Sequence, residues 1–141
     1  MKRLALAVPC LLLFTLSTFA QTEKISDDSS AVQATVRNYI EAYYTGDARR
    51  MEQTLHSHYL KHMIHGDIPM RERTAAQMVN EVPSGPESIP ATQRKEEVTV
   101  LDVAGNIASA KLVTPGWTDY LTLTKTDGTW KILSVVQRID D

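Results

Sequence analysis

Apolar positions along the chain follow two periods. Between residues 30 and 82 they recur every three or four positions, and from Lys95 onward they alternate with polar ones. In the first part Val32, Val36, Tyr39, Ile40 and Tyr43 form one stripe, which predicts an amphipathic helix. Ser30 with Gln33 makes a capping-box start, and Gly46 is a natural stop. Asp47 can cap a second helix with Ala48, Met51 and Leu55 on its inward face, so the short joint predicts a helical hairpin. Gly66, Asp67 and Pro69 then break the pattern. Thr74 with Gln77 opens a third, short helix carrying Ala75, Met78, Val79 and Val82. Residues 83–93 contain three prolines and a glycine and read as a loop.

The alternating part predicts four strands. "EVTVLDV" and "IASAKLVT" flank a Gly-Asn turn, and "WTDYLTLTK" and "WKILSVVQRI" flank an Asp-Gly turn. Helices followed by an antiparallel meander make an α+β domain with its helices on one face of a sheet. In the third of these strands Trp117, Asp119, Leu121 and Leu123 share one side, while Thr118, Tyr120, Thr122 and Thr124 share the other. The first set is expected to face the helices. Asp119 is its exception, because an acid on a core face is costly unless paired or open to water. Two readings follow: an acid at a strand end bonded to an amide or arginine, or a carboxylate inside a ligand cavity. In the fourth strand Trp130, Ile132 and Val136 oppose Leu133, Val135 and Ile139, so both sides read as apolar. Cover on both faces is implied, the second supplied by another subunit through the sheet face. Trp130 is expected to pack the end of the sheet.

Composition narrows the class. A chain of 141 residues, 43% hydrophobic and 23% charged, is about one ordinary globular domain. Its first twenty residues stand apart. Lys2 and Arg3 precede an apolar run from Leu4 to Leu16, and Thr18-Phe19-Ala20 before Gln21 has the small-x-small form of a signal-peptide cleavage site. The run is shorter than the ~20 residues a membrane span needs. The expected organisation is a signal peptide at 1–20, a flexible leader at 21–29 and the domain at 30–141. The product is expected to be exported, periplasmic or secreted, with no membrane attachment after cleavage. Cys10 leaves with the signal, so disulfides, a thiol nucleophile and Cys-ligated zinc are excluded from the mature chain. Without Lys2 and Arg3, 13 basic side chains face 17 acidic ones, a net charge of −4. That sign, with no basic patch, argues against nucleic acid.

The four histidines all lie in "HSHYLKHMIH", His56 to His65. On a continuous helix His58, His62 and His65 share a face that could seat zinc with an open position. Gly66 and Pro69 follow at once, and no HExxH spacing supports a site, so neither a metal nor a cofactor is expected. His56 and His62, with Tyr59, are instead candidates for a cavity mouth. The competing reading is a half-exposed histidine at a helix end, where the dipole favours its cation. Tyr39 and Tyr43 lie on the core stripe with hydroxyls that can point into a cavity. Trp117 starts its strand after Pro-Gly, at a rim position. Arg71 and Arg73, flanking Glu72, read as solvated unless they fold over the mouth.

Several segments together resemble a known family. "WTDYLTLTKTDGTWKILSVV", "VLDVAGNIASAKL" and "VRNYIEAYYTGD" are similar to the C-terminal signature, the preceding hairpin and the first helix of the putative lumazine-binding family, a branch of the NTF2-like (SnoaL-like) superfamily. The signature residues are Thr118, Asp119, Tyr120, Leu121, Leu123, Asp127, Gly128, Trp130, Lys131 and Ile132. "TLHSHYLKH" resembles a Leu-His-Pro-Asp segment of the family, with Ser57 and His58 in place of the Pro and Asp. The likeness spans residues 30 to 139. It implies an NTF2-like cone, with N-terminal helices packed in a strongly curved antiparallel sheet, a pocket at the open end, and frequent homodimers. The superfamily holds isomerases, dehydratases and binding modules alike, so fold alone assigns no activity.

The expected function is non-catalytic binding of a small organic molecule in a pocket of Tyr39, Tyr43, His56, Tyr59, His62, Trp117 and Asp119. The rival is an isomerase- or dehydratase-type enzyme with His56 and Asp119 as an acid–base pair. A third possibility is an interaction module whose cone is filled by side chains.

Overall fold

The computed structural model describes residues 14–82 and 89–140. Three helices pack on a six-stranded, curved and unclosed sheet, two of them before its first strand and the third between its second and third strands. The helices are α1 (Phe14–Thr45), α2 (Ala48–Thr54) and α3 (Ala75–Glu81). The strands are β1 (Leu55–His65), β2 (Ile68–Thr74), β3 (Glu97–Ala104), β4 (Ile107–Thr114), β5 (Trp117–Thr126) and β6 (Thr129–Ile139), in the order β2-β1-β6-β5-β4-β3. All neighbours are antiparallel except β1 with β6.

The hairpin and caps form as their residues dictate. Gly46 takes a φ of 72°, which reverses the chain at the end of α1 without a Cβ clash. Asp47 accepts from the Arg50 amide at 2.9 Å, and Thr74 with Gln77 closes a full capping box on α3. Asp127 and Gly128 both have positive φ, the turn geometry whose twist suits the β5–β6 hairpin. Val32, Val36, Ile40, Met51, Leu112, Leu121, Leu123, Ile132 and Val135 form a core from which water is excluded.

Three expectations change. The segment 21–29 is not a loose leader but part of α1, and the Ser30 hydroxyl bonds back to the Ser26 carbonyl instead of capping a start. Asp28 fastens this turn, because its Oδ1 accepts from Lys125 Nζ at 2.6 Å and from the Trp130 indole at 3.2 Å. The histidine stretch is not a continuous helix, nor does His56 stand within a helix end. It is a single strand, β1, whose hairpin partner β2 had read as a break. Residues 1–13 of the expected signal peptide, with Cys10, and residues 83–88 of the expected loop lie outside the described residues.

The apparent two-sidedness of β6 has a local cause. Thr122 pairs with Ser134 but Leu123 pairs with Ile132, so Leu133 is the extra residue of a bulge. A bulge reverses the inside–outside phase. Trp130 and Ile132 face in before it, and Val135 and Gln137 face in after it. Val136 therefore points outward, 45% exposed, contrary to strict alternation. Val135→Ala should lower the unfolding free energy by about 2–3 kcal/mol, and Val136→Ala by less than about 0.5 kcal/mol. Urea unfolding of the two variants checks the phase, and equal losses would contradict it.

Candidate ligand site

Strand β5 carries Trp117, Asp119 and Leu121 on the face turned toward the helices. Strand β1 does the same with Tyr59, Lys61 and Met63. Strand β6 lies between them, with Gln137 beside both Asp119 and Met63 in register and Val135 beside Lys61. Two strand spacings, about 10 Å, separate the β1 and β5 backbones. The long Lys61 side chain crosses that gap, so that Nζ lies 3.8 Å from Asp119 Oδ1.

The two charges sit at the base of a cavity of about 300 Å³. Its walls come from Tyr39, Ile40 and Tyr43 of α1, Met78 and Val82 at α3, Met63, Trp117 and Ile139. The Trp117 ring meets Tyr43 edge-on, with centroids 5.6 Å apart. Arg73 and Glu81 complete the lining and pair with each other at 2.7 Å. Arg73 is therefore a cavity residue, not a solvated neighbour of Glu72.

Burial dominates the electrostatics. Asp119 is wholly buried, and neither of its carboxylate oxygens completes a hydrogen bond. Burial pushes its carboxyl above the usual carboxylate range, against the opposing charge of Lys61 and the nearby donors of Gln137 and Trp117. Lys61 is 5% exposed, and burial lowers its ammonium from the ordinary value while Asp119 pulls it back up. Its Nζ donates to the Tyr39 hydroxyl at 3.1 Å. Burial also raises the Tyr39 and Tyr59 hydroxyls, keeping both neutral, and the Tyr59 oxygen has no hydrogen-bond partner.

Of the residues nominated from sequence, Tyr39, Tyr43, Trp117 and Asp119 line this cavity. Tyr59 is buried behind it, next to Tyr39. His56 and His62 do not belong to it. His62 falls on the outward parity of β1 and pairs with Glu72 at 3.1 Å. His56 borders a separate depression with Ala75, Ala76 and Val79. It stacks on His58 at 5.5 Å and accepts from the His58 amide, where β1 swings away from β6 between Leu55 and Leu60. The acid–base pair of His56 with Asp119 thus has its two members in different depressions. A strand also denies His58, His62 and His65 the common helical face that zinc required, and no cluster of three or more His, Cys, Asp or Glu side chains exists among the described residues. Lys61, Met63 and Gln137 were not foreseen. The signal for Lys61 mirrors that for Asp119: a charge placed between the apolar Tyr59 and Met63 on one face of the strand.

The pair makes a prediction about pH. Lys61→Met removes the charge that holds the Asp119 pKa down, so the folded variant keeps a carboxyl proton that the unfolded chain releases above pH ~4. The native state then binds more protons than the unfolded one, and stability falls as pH rises. The deficit of Lys61→Met against the parent should be larger at pH 7 than at pH 4.5 by about 1–2 kcal/mol in urea unfolding. A deficit independent of pH would contradict the coupling.

The sequence model of a protein family described as "Putative lumazine-binding" matches residues 27–137. No curated protein matches the chain. Among solved structures, an NTF2-like protein of unknown function from Silicibacter pomeroyi DSS-3 is 20% identical, covering 82% of this chain and 98% of its own, with a TM-score of 0.66. A second NTF2-like protein of unknown function, from Shewanella baltica OS155, is 18% identical over 82% of this chain and 96% of its own, with a TM-score of 0.62. A putative dehydratase of the NTF2-like family from Streptomyces avermitilis is 13% identical over 82% and 98%, with a TM-score of 0.52. At these identities the likeness shows the fold alone.

Proposed function

The chain belongs to the putative lumazine-binding family and has the NTF2-like fold, and from that premise we propose that it holds one small organic molecule in the cavity without net conversion. The observation that carries this reading is a hollow with aromatic and aliphatic walls around a buried carboxylate whose oxygens accept no hydrogen bond. Ligand pockets are mostly apolar with a few convergent polar groups, and about 300 Å³ is at the small end of their range. The volume also weighs against the filled interaction module. A ligand that offers donors to Asp119 would relieve the cost of leaving those oxygens bare.

Export and pairing belong to the same proposal. The basic start, apolar run and Thr18-Phe19-Ala20 site support secretion of a chain that begins at Gln21. No helix among the described residues is long and apolar enough to cross a membrane. The outward sheet face supports a homodimer. Tyr120, 52% exposed, lies in register with Val136, and exposed Ile64 stands on the same side.

One experiment reads all of this. Native mass spectrometry of exported protein should show twice the mass of a chain starting at Gln21, with one small molecule per chain. Asp119→Leu should empty the site while the variant stays folded by circular dichroism. Retention undiminished in Asp119→Leu would refute the assigned pocket, Met1 at the N-terminus would refute export, and a single-chain mass would refute the dimer.

A further inference from the structure

Lys61 is the one lysine lining the cavity, and its setting is unusual for a residue whose ammonium normally stays in water. The amine reaches the cavity from β1, with the Tyr39 hydroxyl of α1 at 3.1 Å and the Asp119 carboxylate of β5 at 3.8 Å. A cation held there for structure alone would be expected to meet both carboxylate oxygens directly. Instead its Nζ stands 3.8 Å from Oδ1, an ion-pair distance longer than a direct hydrogen bond. All three groups line the same cavity.

We propose that Lys61 captures a small aldehyde or ketone in this cavity as a reversible imine. This deepens the binding function proposed above and rests on the cavity being a ligand site. The Nζ lone pair adds to the carbonyl carbon, and the carbonyl oxygen takes up the amine's proton to give a carbinolamine. Asp119, in its acid form, gives a proton to the departing hydroxyl, which leaves as water while the nitrogen lone pair closes the C=N bond. The iminium then returns its proton to the Asp119 carboxylate. The sum is amine plus carbonyl giving imine plus water, with no oxidant or reductant. Each requirement has its group here. Burial lowers the Lys61 pKa, which favours the free amine, the form that attacks. Burial raises that of Asp119, which favours the acid form that protonates the leaving hydroxyl. The Tyr39 hydroxyl, held neutral, orients the amine. Trp117 and Tyr43 favour a flat, apolar carbonyl compound over a sugar.

Reductive trapping tests the proposal. The full chain is treated with benzaldehyde and sodium cyanoborohydride at pH 7, and peptide mass spectrometry locates the N-benzyl lysines. Lys61 should be labelled faster than exposed Lys24 and Lys95, because burial favours its free amine. Unfolding in urea should abolish the preference. Lys61→Met should lose the fast adduct, and Asp119→Asn should retain Lys61 but slow its labelling ~10-fold or more, the usual worth of a proton donor. Labelling of Lys61 no faster than Lys24 and Lys95 in the folded protein overturns the imine. Benzyl alcohol, which cannot condense, separates the two claims through the Trp117 indole resonance. If that resonance shifts with benzyl alcohol while Lys61 remains unlabelled, the imine falls and the ligand site stands. If neither compound shifts it and Lys61 is unlabelled, both fall.

Discussion

The meeting of Lys61 and Asp119 beneath the helices is the constraint around which the open end of this fold is arranged. At 3.8 Å their attraction is about 4 kcal/mol at an effective dielectric of ~20. Removing either charge from water costs several kcal/mol. The pair therefore recovers less than its burial costs, and apolar residues of the same size would make a more stable protein. That imbalance supports the ligand site proposed for this cavity. The raised carboxyl and lowered ammonium are two expressions of that one imbalance, because each group relieves its own desolvation by moving toward neutrality.

Placing the pair needs the parallel contact of β1 with β6. A chain running straight through a meander would have left β1 remote from β5. Bringing β1 beside β6 makes β6 a floor of one strand's width, and Lys61 is long enough to span it. The bulge at Leu133 keeps Val135 and Gln137 on that floor while Trp130 and Ile132 still face the core at the other end. Without the phase change either the core or the floor would have polar and apolar residues exchanged.

Much of this was legible in the order of residues, and the failures share one cause. The stripe of α1, the Asp47 cap, the Thr74–Gln77 box and the last four strands carry strong local signals, and each forms where those signals place it. The inward turn of Trp117 and Asp119 followed from alternation alone. Strand β1 was obscured because four histidines suit several local structures and drew the reading to His56 and His62. The cavity residue, Lys61, lies on the opposite parity from those two. Arg73 was lost with β2, since Gly66 and Pro69 read as a break and not as the hairpin turn and the start of an edge strand. The Leu133 bulge has no sequence signature, so both sides of β6 read as apolar and neither could be assigned inward. The helical leader depends on Asp28 meeting Lys125 and Trp130, contacts about a hundred residues away in sequence that no local pattern encodes.

The two ends of β5 argue for the site by contrast. Each end joins an aspartate, a lysine and a tryptophan, about 20 Å apart along the strand. At the hairpin end the Asp28 carboxylate receives short bonds from Lys125 and Trp130, and the Lys125 bond foremost holds its pKa below the usual range. At the open end Asp119 has the same kinds of neighbour in Lys61 and Trp117, yet Lys61 stands 3.8 Å away and burial outweighs these neighbours, so its pKa rises. The chain can thus satisfy a carboxylate with these residues where fastening is the purpose. The looser arrangement occurs beside the cavity, and that contrast supports the ligand site proposed there.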